Sequence, residues 1–226
     1  MRCSFGICDG SGLVIDEATN TAYDCRCRDQ LIARAKARNL SAVIPRRYRD
    51  VAFERPPVIE MDRDVVVATR DFTDSIDEQL GAGRGLWFMG PVGTGKTTLA
   101  MLVSKAALEA GQSVAIYSLP RLLNEIRDIH RADRSHIDLL DRLTAVDLLH
   151  VDDVGAERTN EWVLEELYSI VNSRYEEQRS IVITTNIDDH DALCEQIGAR
   201  TVSRLTEMCQ EMLLSGEDRR FEARFA

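Results

Sequence analysis

The sequence predicts an α/β protein, a parallel sheet covered by helices on both faces, with a small cysteine-rich module in front of it. Three observations carry that expectation. From about residue 64 helix-like and strand-like stretches alternate; the segment GPVGTGKTT (90–98) joins one strand to a helix; four of the six cysteines fall in the first 27 residues. The chain therefore divides into a module over 1–44, a connecting segment over 45–63 and a larger domain over 64–226.

The elements follow from local pattern. Cys3, Cys8, Cys25 and Cys27 define the first module, and Gly6, Gly10 and Gly12 supply turns around the first pair. A basic, Ala-rich, helix-like stretch covers roughly 28–40, and IPRRYRDVAFERPPV has three prolines that interrupt regular structure. GLWFMG (85–90) reads as a strand running into a glycine loop, and KTTLAMLVSKAALEAG (96–111) as the helix after it. SVAIYS (113–118) is a second strand, and Pro120 opens a polar helical stretch. AVDLLHVDD (145–153) is a third strand, after which Thr159 or Asn160 caps a helix whose Val163, Leu167, Ile170 and Val171 share one face. SIVITTN (180–186) is a fourth strand and EMLLSG (211–216) a fifth.

Composition narrows the setting. No apolar stretch approaches the ~20 residues needed to cross a bilayer, and no N-terminal apolar segment acts as a secretory signal, so a cytoplasmic protein with reduced cysteines is expected and no membrane partner. The formal charge is −10, unevenly spread: residues 1–50 hold nine Arg/Lys against six Asp/Glu, the remainder nineteen against thirty-two. An acidic body argues against indiscriminate coating of duplex DNA.

The chemistry concentrates at three places. In the phosphate loop (Gly90, Pro91, Val92, Gly93, Thr94, Gly95, Lys96, Thr97, Thr98), glycines let backbone N–H groups turn toward phosphate oxygens. Lys96 reaches the β- and γ-phosphates and Thr97 ligates Mg²⁺, which names ATP and Mg²⁺ as cofactors. Asp152 and Asp153 end an apolar strand, where charge is tolerable only beside a metal or solvated site. Asp152 then holds the magnesium, and Asp153 either activates the attacking water or merely turns the chain before Gly155. Asn186 follows the fourth strand, in reach of the γ-phosphate or the water, or as a turn residue. The four N-terminal thiols offer a tetrahedral set for Zn²⁺, with unligated thiols as the alternative. Arg121, Arg127, Arg131 and Arg134 form a helical stripe that either tracks a single strand's phosphates or is simply solvated.

These blocks together resemble the AAA+ ATPases, and among them the DnaC/DnaI-type helicase loaders. The matching segments are GPVGTGKTTLA (90–100), LLHVDDVGAE (148–157), LYSIVNSRY (167–175), IVITTN (181–186) and ARTVSRL (199–205). The resemblance implies a P-loop core with a shortened C-terminal lid, since 40 residues follow Asn186. It implies that Asn186 senses the γ-phosphate and that Arg204 enters a neighbouring subunit's ATP site, so that ATP promotes self-association. It also implies slow, oligomer-dependent hydrolysis, weak binding to single-stranded DNA, and an N-terminal zinc module that docks on a replicative helicase. Two alternatives share the ATPase blocks: a transposition helper of the IstB type, and an adaptor that binds ATP with little turnover.

Overall fold

The computed structural model describes residues 3, 5–16, 19, 21–28, 44–131, 137–156, 160–216 and 218. The helix expected over 28–40 lies almost wholly outside them, as does Thr159. Strands β1 (Leu13–Asp16) and β2 (Thr21–Asp24) pair antiparallel in the first module. The proline-rich stretch forms two short 3₁₀ turns, Arg46–Tyr48 and Val58–Glu60, and its Val58 and Met61 are buried against the larger domain.

The larger domain begins with α1 (Arg63–Asp74), whose N-cap Asp62 accepts from the N–H groups of Asp64 and Val65. There follow α2 (Ile76–Gly81), β3 (Gly85–Met89), α3 (Lys96–Glu109), β4 (Val114–Ser118), α4 (Leu119–Arg131) and α5 (Ile137–Ala145). Then come β5 (Leu148–Val154), α6 (Glu161–Glu176), β6 (Ser180–Thr185), α7 (His190–Ile197), α8 (Ala199–Met208) and β7 (Cys209–Leu213). Asn160 caps α6, accepting from Val163 N–H at 3.0 Å.

The five larger-domain strands form one sheet in the order β4-β5-β6-β3-β7, with every pair parallel. Because successive strand side chains point to opposite faces, the sheet has a core on each side. Trp87, Leu149, Val151, Ile181 and Ile183 face the side built from α4 to α8. Leu86, Phe88, Leu148 and Val182 face the side built from α1 to α3. The doubly covered parallel sheet anticipated from the alternation is thus present. Among the described residues no helix is long and apolar enough to cross a membrane.

Two strand boundaries differ from expectation. β5 starts at Leu148 rather than at 145, because Val146 and Asp147 are held elsewhere. The Asp147 carboxylate accepts from the Ser113 N–H (2.9 Å) and hydroxyl (2.6 Å), and the fully buried Arg174 donates to the carbonyls of Val146 and Asp147. Arg174 also reaches the carbonyls of Leu143, Thr144 and Ser180, so one guanidinium ties together the end of α5 and the starts of β5 and β6. The last strand is Cys209–Leu213 rather than 211–216; it pairs with all of β3, and Leu214 N–H closes the ladder on the Met89 carbonyl at 2.8 Å.

Candidate active site

The phosphate loop leaves the C-terminal end of β3, at the sheet edge where parallel α/β folds bind ligands. Gly93 and Gly95 take φ of 82° and 106°, backbone that a β-carbon disfavours. Gly95 is the N-cap of α3 and offers no side chain to that helix's first-turn N–H groups. The first-turn amides and the positive end of the helix dipole make this end suited to an anion. Thr94 Oγ1 donates to the Pro91 carbonyl at 2.9 Å and pins the loop. Lys96 is 5% exposed and its Nζ donates to the carbonyls of Gly90 (2.7 Å) and Pro91 (2.6 Å), so the ammonium lies inside the loop. Val92 is exposed, while Thr98 is half-buried in the first turn of α3.

Opposite the loop stands Asp152. Its Oδ1 accepts from Thr97 Oγ1 at 3.0 Å and from Thr184 Oγ1 at 2.6 Å, which joins α3, β5 and β6 at one carboxylate oxygen. A hydroxyl and a carboxylate in contact are the hard oxygen donors that Mg²⁺ takes, with water and phosphate completing its shell. Lys96, Thr97 and Asp152 therefore fit a metal-bound triphosphate.

Asp153 occupies a β-bulge. The β5–β6 register runs from Val151↔Ile183 to Val154↔Thr185, so Asp152 and Asp153 together oppose Thr184. Asp153 sits at φ 58°, its N–H donates to Thr184 Oγ1 at 3.0 Å, and the residue is exposed. The bulge turns the second aspartate out of the strand's alternation and toward solvent, next to the first. Asn186 is exposed one residue past β6, at the same edge of the sheet.

Four residues near the site carried no role in the sequence reading. Thr184 is the hinge of the bulge, but a threonine in an apolar strand has no distinguishing pattern. His150 is fully buried two residues before Asp152, and Ser104 Oγ lies 2.9 Å from its Nδ1. Burial lowers the His150 pKa to about 3, so the ring is neutral. Its even spacing with Asp152 along the strand was a usable signal. Finally, Asp218 lies against the loop: a β-carbon on Gly93 would run into its carboxylate, and one on Gly90 would run into the Leu214 carbonyl. The segment after β7 thus passes close over the glycine turn.

Arg204 is not brought to this cluster. α8 runs toward the edge where β3 begins, as Cys209 pairs with Gly85, and the Arg204 guanidinium stacks 4.2 Å from the Tyr175 ring centroid. A hydrogen bond with Glu207, and then that carboxylate's charge, raises the Tyr175 pKa. Two clefts of about 510 and 470 Å³ open at this edge, sharing Arg84, Glu207 and Met208, and neither contains a phosphate-loop residue.

Within the arginine stripe, Arg121 is exposed, whereas Arg127 stacks on Trp162 at 4.6 Å and donates to Asn124 Oδ1 at 3.2 Å. Arg134 and the side chain of Arg131 lie outside the described residues.

The N-terminal cysteines converge. The Sγ atoms of Cys3, Cys8, Cys25 and Cys27 all lie within 4.8 Å of one another, with Cys3–Cys25 at 3.7 Å and Cys8–Cys27 at 3.5 Å. Tetrahedral thiolates around zinc stand about 3.8 Å apart, given Zn–S bonds of about 2.3 Å. The Gly10 N–H donates to Cys8 Sγ at 3.4 Å, an outer contact of the kind that orients metal thiolates. The cluster fits a zinc ion.

Residues 71–224 match the family described as IstB-like ATP binding protein. The chain is 24% identical over 213 residues to the replicative helicase loader DnaI of Bacillus subtilis, covering 88% of this chain and 68% of that one. It is 30% identical over 132 residues to the uncharacterized protein YdaV of Escherichia coli, covering 58% of this chain and 52%, about half, of that relative's length. The crystal structure of the DnaC helicase loader shares the fold, with a TM-score of 0.67 at 24% identity over 76% of this chain and 100% of that one.

Proposed function

This chain belongs to the IstB-like ATP binding protein family, and from that membership we propose that it hydrolyses ATP in DNA replication and loads a replicative helicase onto single-stranded DNA. One observation carries the loader over other uses of the same core. The similarity to DnaI covers 88% of this chain, more than the ATPase domain alone spans, so it extends into the segment before that domain. The four-thiol cluster in that segment supports a zinc module that grips the helicase.

Each residue has a task in this account. Lys96 and the loop amides bind and orient the β- and γ-phosphates. Thr97 and Asp152 hold Mg²⁺, which when bound neutralises phosphate charge. Asp153, turned out by the bulge, takes the proton of the attacking water or orients it, and Asn186 positions that water or the γ-phosphate. Arg204, on the far edge of its own chain, serves a neighbouring subunit's site, so hydrolysis follows ATP-driven self-association. Single-stranded DNA lies along the α4 stripe, weakly and with strong dependence on salt.

The family match itself favours a second use, a transposition helper of the IstB type acting on duplex DNA. The experiment is capture of the source organism's replicative helicase by the full chain with ATP, before and after zinc removal. The loader account expects capture that falls with loss of metal, while ATP binding persists, and ATPase stimulation by single strands. Absence of capture, with stimulation by duplex only, favours the transposition helper.

A further inference from the structure

The polar column beneath the magnesium-binding aspartate has one member that the ATPase account leaves unused. His150 and Asp152 are two apart on β5, so both face α3. Thr97 and Ser104 of α3 are seven apart and meet them in turn, Thr97 on Asp152 at 3.0 Å and Ser104 on His150 Nδ1 at 2.9 Å. The His150 ring has no exposure, and in register it is flanked by Ile116 of β4 and Val182 of β6. Among the described residues its Nε2 has no hydrogen-bond partner, and it stands 4.0 Å from Asp152 Oδ1. Leaving a buried polar nitrogen unpaired is destabilising. An aliphatic residue would fill this strand position without that cost.

We propose that His150 is a positioning residue for magnesium: its Nε2–H faces Asp152 from below and holds the carboxylate at the angle the metal requires. The inference rests on the ATPase account and deepens it. Electrostatics selects the tautomer. The Ser104 hydroxyl has one proton and two acceptors in reach, His150 Nδ1 at 2.9 Å and the Ala100 carbonyl at 3.1 Å. Donation to Nδ1 puts the ring proton on Nε2, toward the carboxylate, whereas the other choice opposes a lone pair to a negative oxygen. At 4.0 Å the contact is charge to dipole, and a movement of about 1 Å makes it a hydrogen bond. The two threonines restrain Asp152 from the helix and from β6; His150 supplies the restraint along its own strand.

The test uses the full chain and equilibrium binding rather than turnover. A fluorescent ATP analogue is titrated in EDTA and over a range of Mg²⁺, and Mn²⁺ affinity is read by electron paramagnetic resonance. In His150→Leu and His150→Asn, affinity in EDTA stays near wild type while the Mg²⁺ needed for half-maximal tightening rises about 10-fold or more. His150→Gln, whose amide N–H reaches the Nε2 position, restores the metal response to within about 3-fold. Ser104→Ala weakens it in the same direction and covers the case in which the leucine variant does not fold. A wild-type metal response in His150→Leu, or a loss in Gln equal to that in Leu, overturns the inference and assigns His150 to packing. Failure of the wild type itself to bind the analogue overturns the ATPase account and this inference together.

Discussion

Asp152 and Asp153 share a sequence and almost nothing else. The first is half-buried and accepts two threonine hydroxyls; the second is exposed at φ 58° in a bulge. A left-handed aspartate in a strand costs stability, of order 1 kcal/mol, and such strain collects at functional sites. The account gives Asp153 the water. Asp153→Ala is expected to keep ATP binding within about twofold and to lower turnover by about 100-fold, measured by phosphate release against binding of the same nucleotide. Equal turnover in the variant would return Asp153 to the role of a turn residue. The tandem acids were legible because charge at the end of an apolar run has few uses. The contacts of Thr184 and His150 were not legible, since only the pairing of β5 with β6 and the packing of α3 reveal them; the even spacing of His150 and Asp152 shows no more than a shared face.

At the level of elements, the site depends on where β5 begins and where it bends. Arg174 fixes the beginning: buried at the end of α6, it donates to five backbone carbonyls at the α5–β5 and β6 junctions. Burial and the neighbouring Arg179 lower its pKa to about 9, but the carbonyl cage still favours the cation at neutral pH. Arg174→Met leaves those carbonyls without a donor and is expected to lower unfolding free energy by about 3 kcal/mol or more, read by urea denaturation. A change below 1 kcal/mol would mean that water replaces the guanidinium. Sequence pattern identified the apolar face of α6 through Val163, Leu167, Ile170 and Val171, all of them buried. It could not assign Arg174, because a lone arginine on a helix usually faces solvent. The β5 boundary was missed for the same reason: hydrophobicity extends to Val146, and the tertiary claims on Val146 and Asp147 end the ladder earlier.

For the molecule as a whole, one sheet separates two pieces of chemistry. Phosphate loop, Asp152, Asp153 and Asn186 gather at the C-terminal edge; Arg204, Tyr175 and the two clefts lie toward the other. The proposed account has Arg204, so placed, serve a site in another copy of the chain. Mixing Lys96→Ala with Arg204→Ala protein, each inactive alone, is expected to restore part of the ATPase activity, since hybrid contacts pair an intact loop with an intact arginine. No recovery at any ratio would confine Arg204 to its stack on Tyr175. The fold class was legible from alternation because a parallel sheet buries both faces of every strand, whereas the far-edge location of Arg204 required the β3–β7 pairing. The measurement that bears most directly on the whole account is calorimetric titration of ATP into the full chain with Mg²⁺, beside Lys96→Ala. The account predicts one ATP per chain and an affinity about 10–100-fold weaker in the variant. A folded wild type that takes up no ATP, or a variant that binds as tightly, would contradict it.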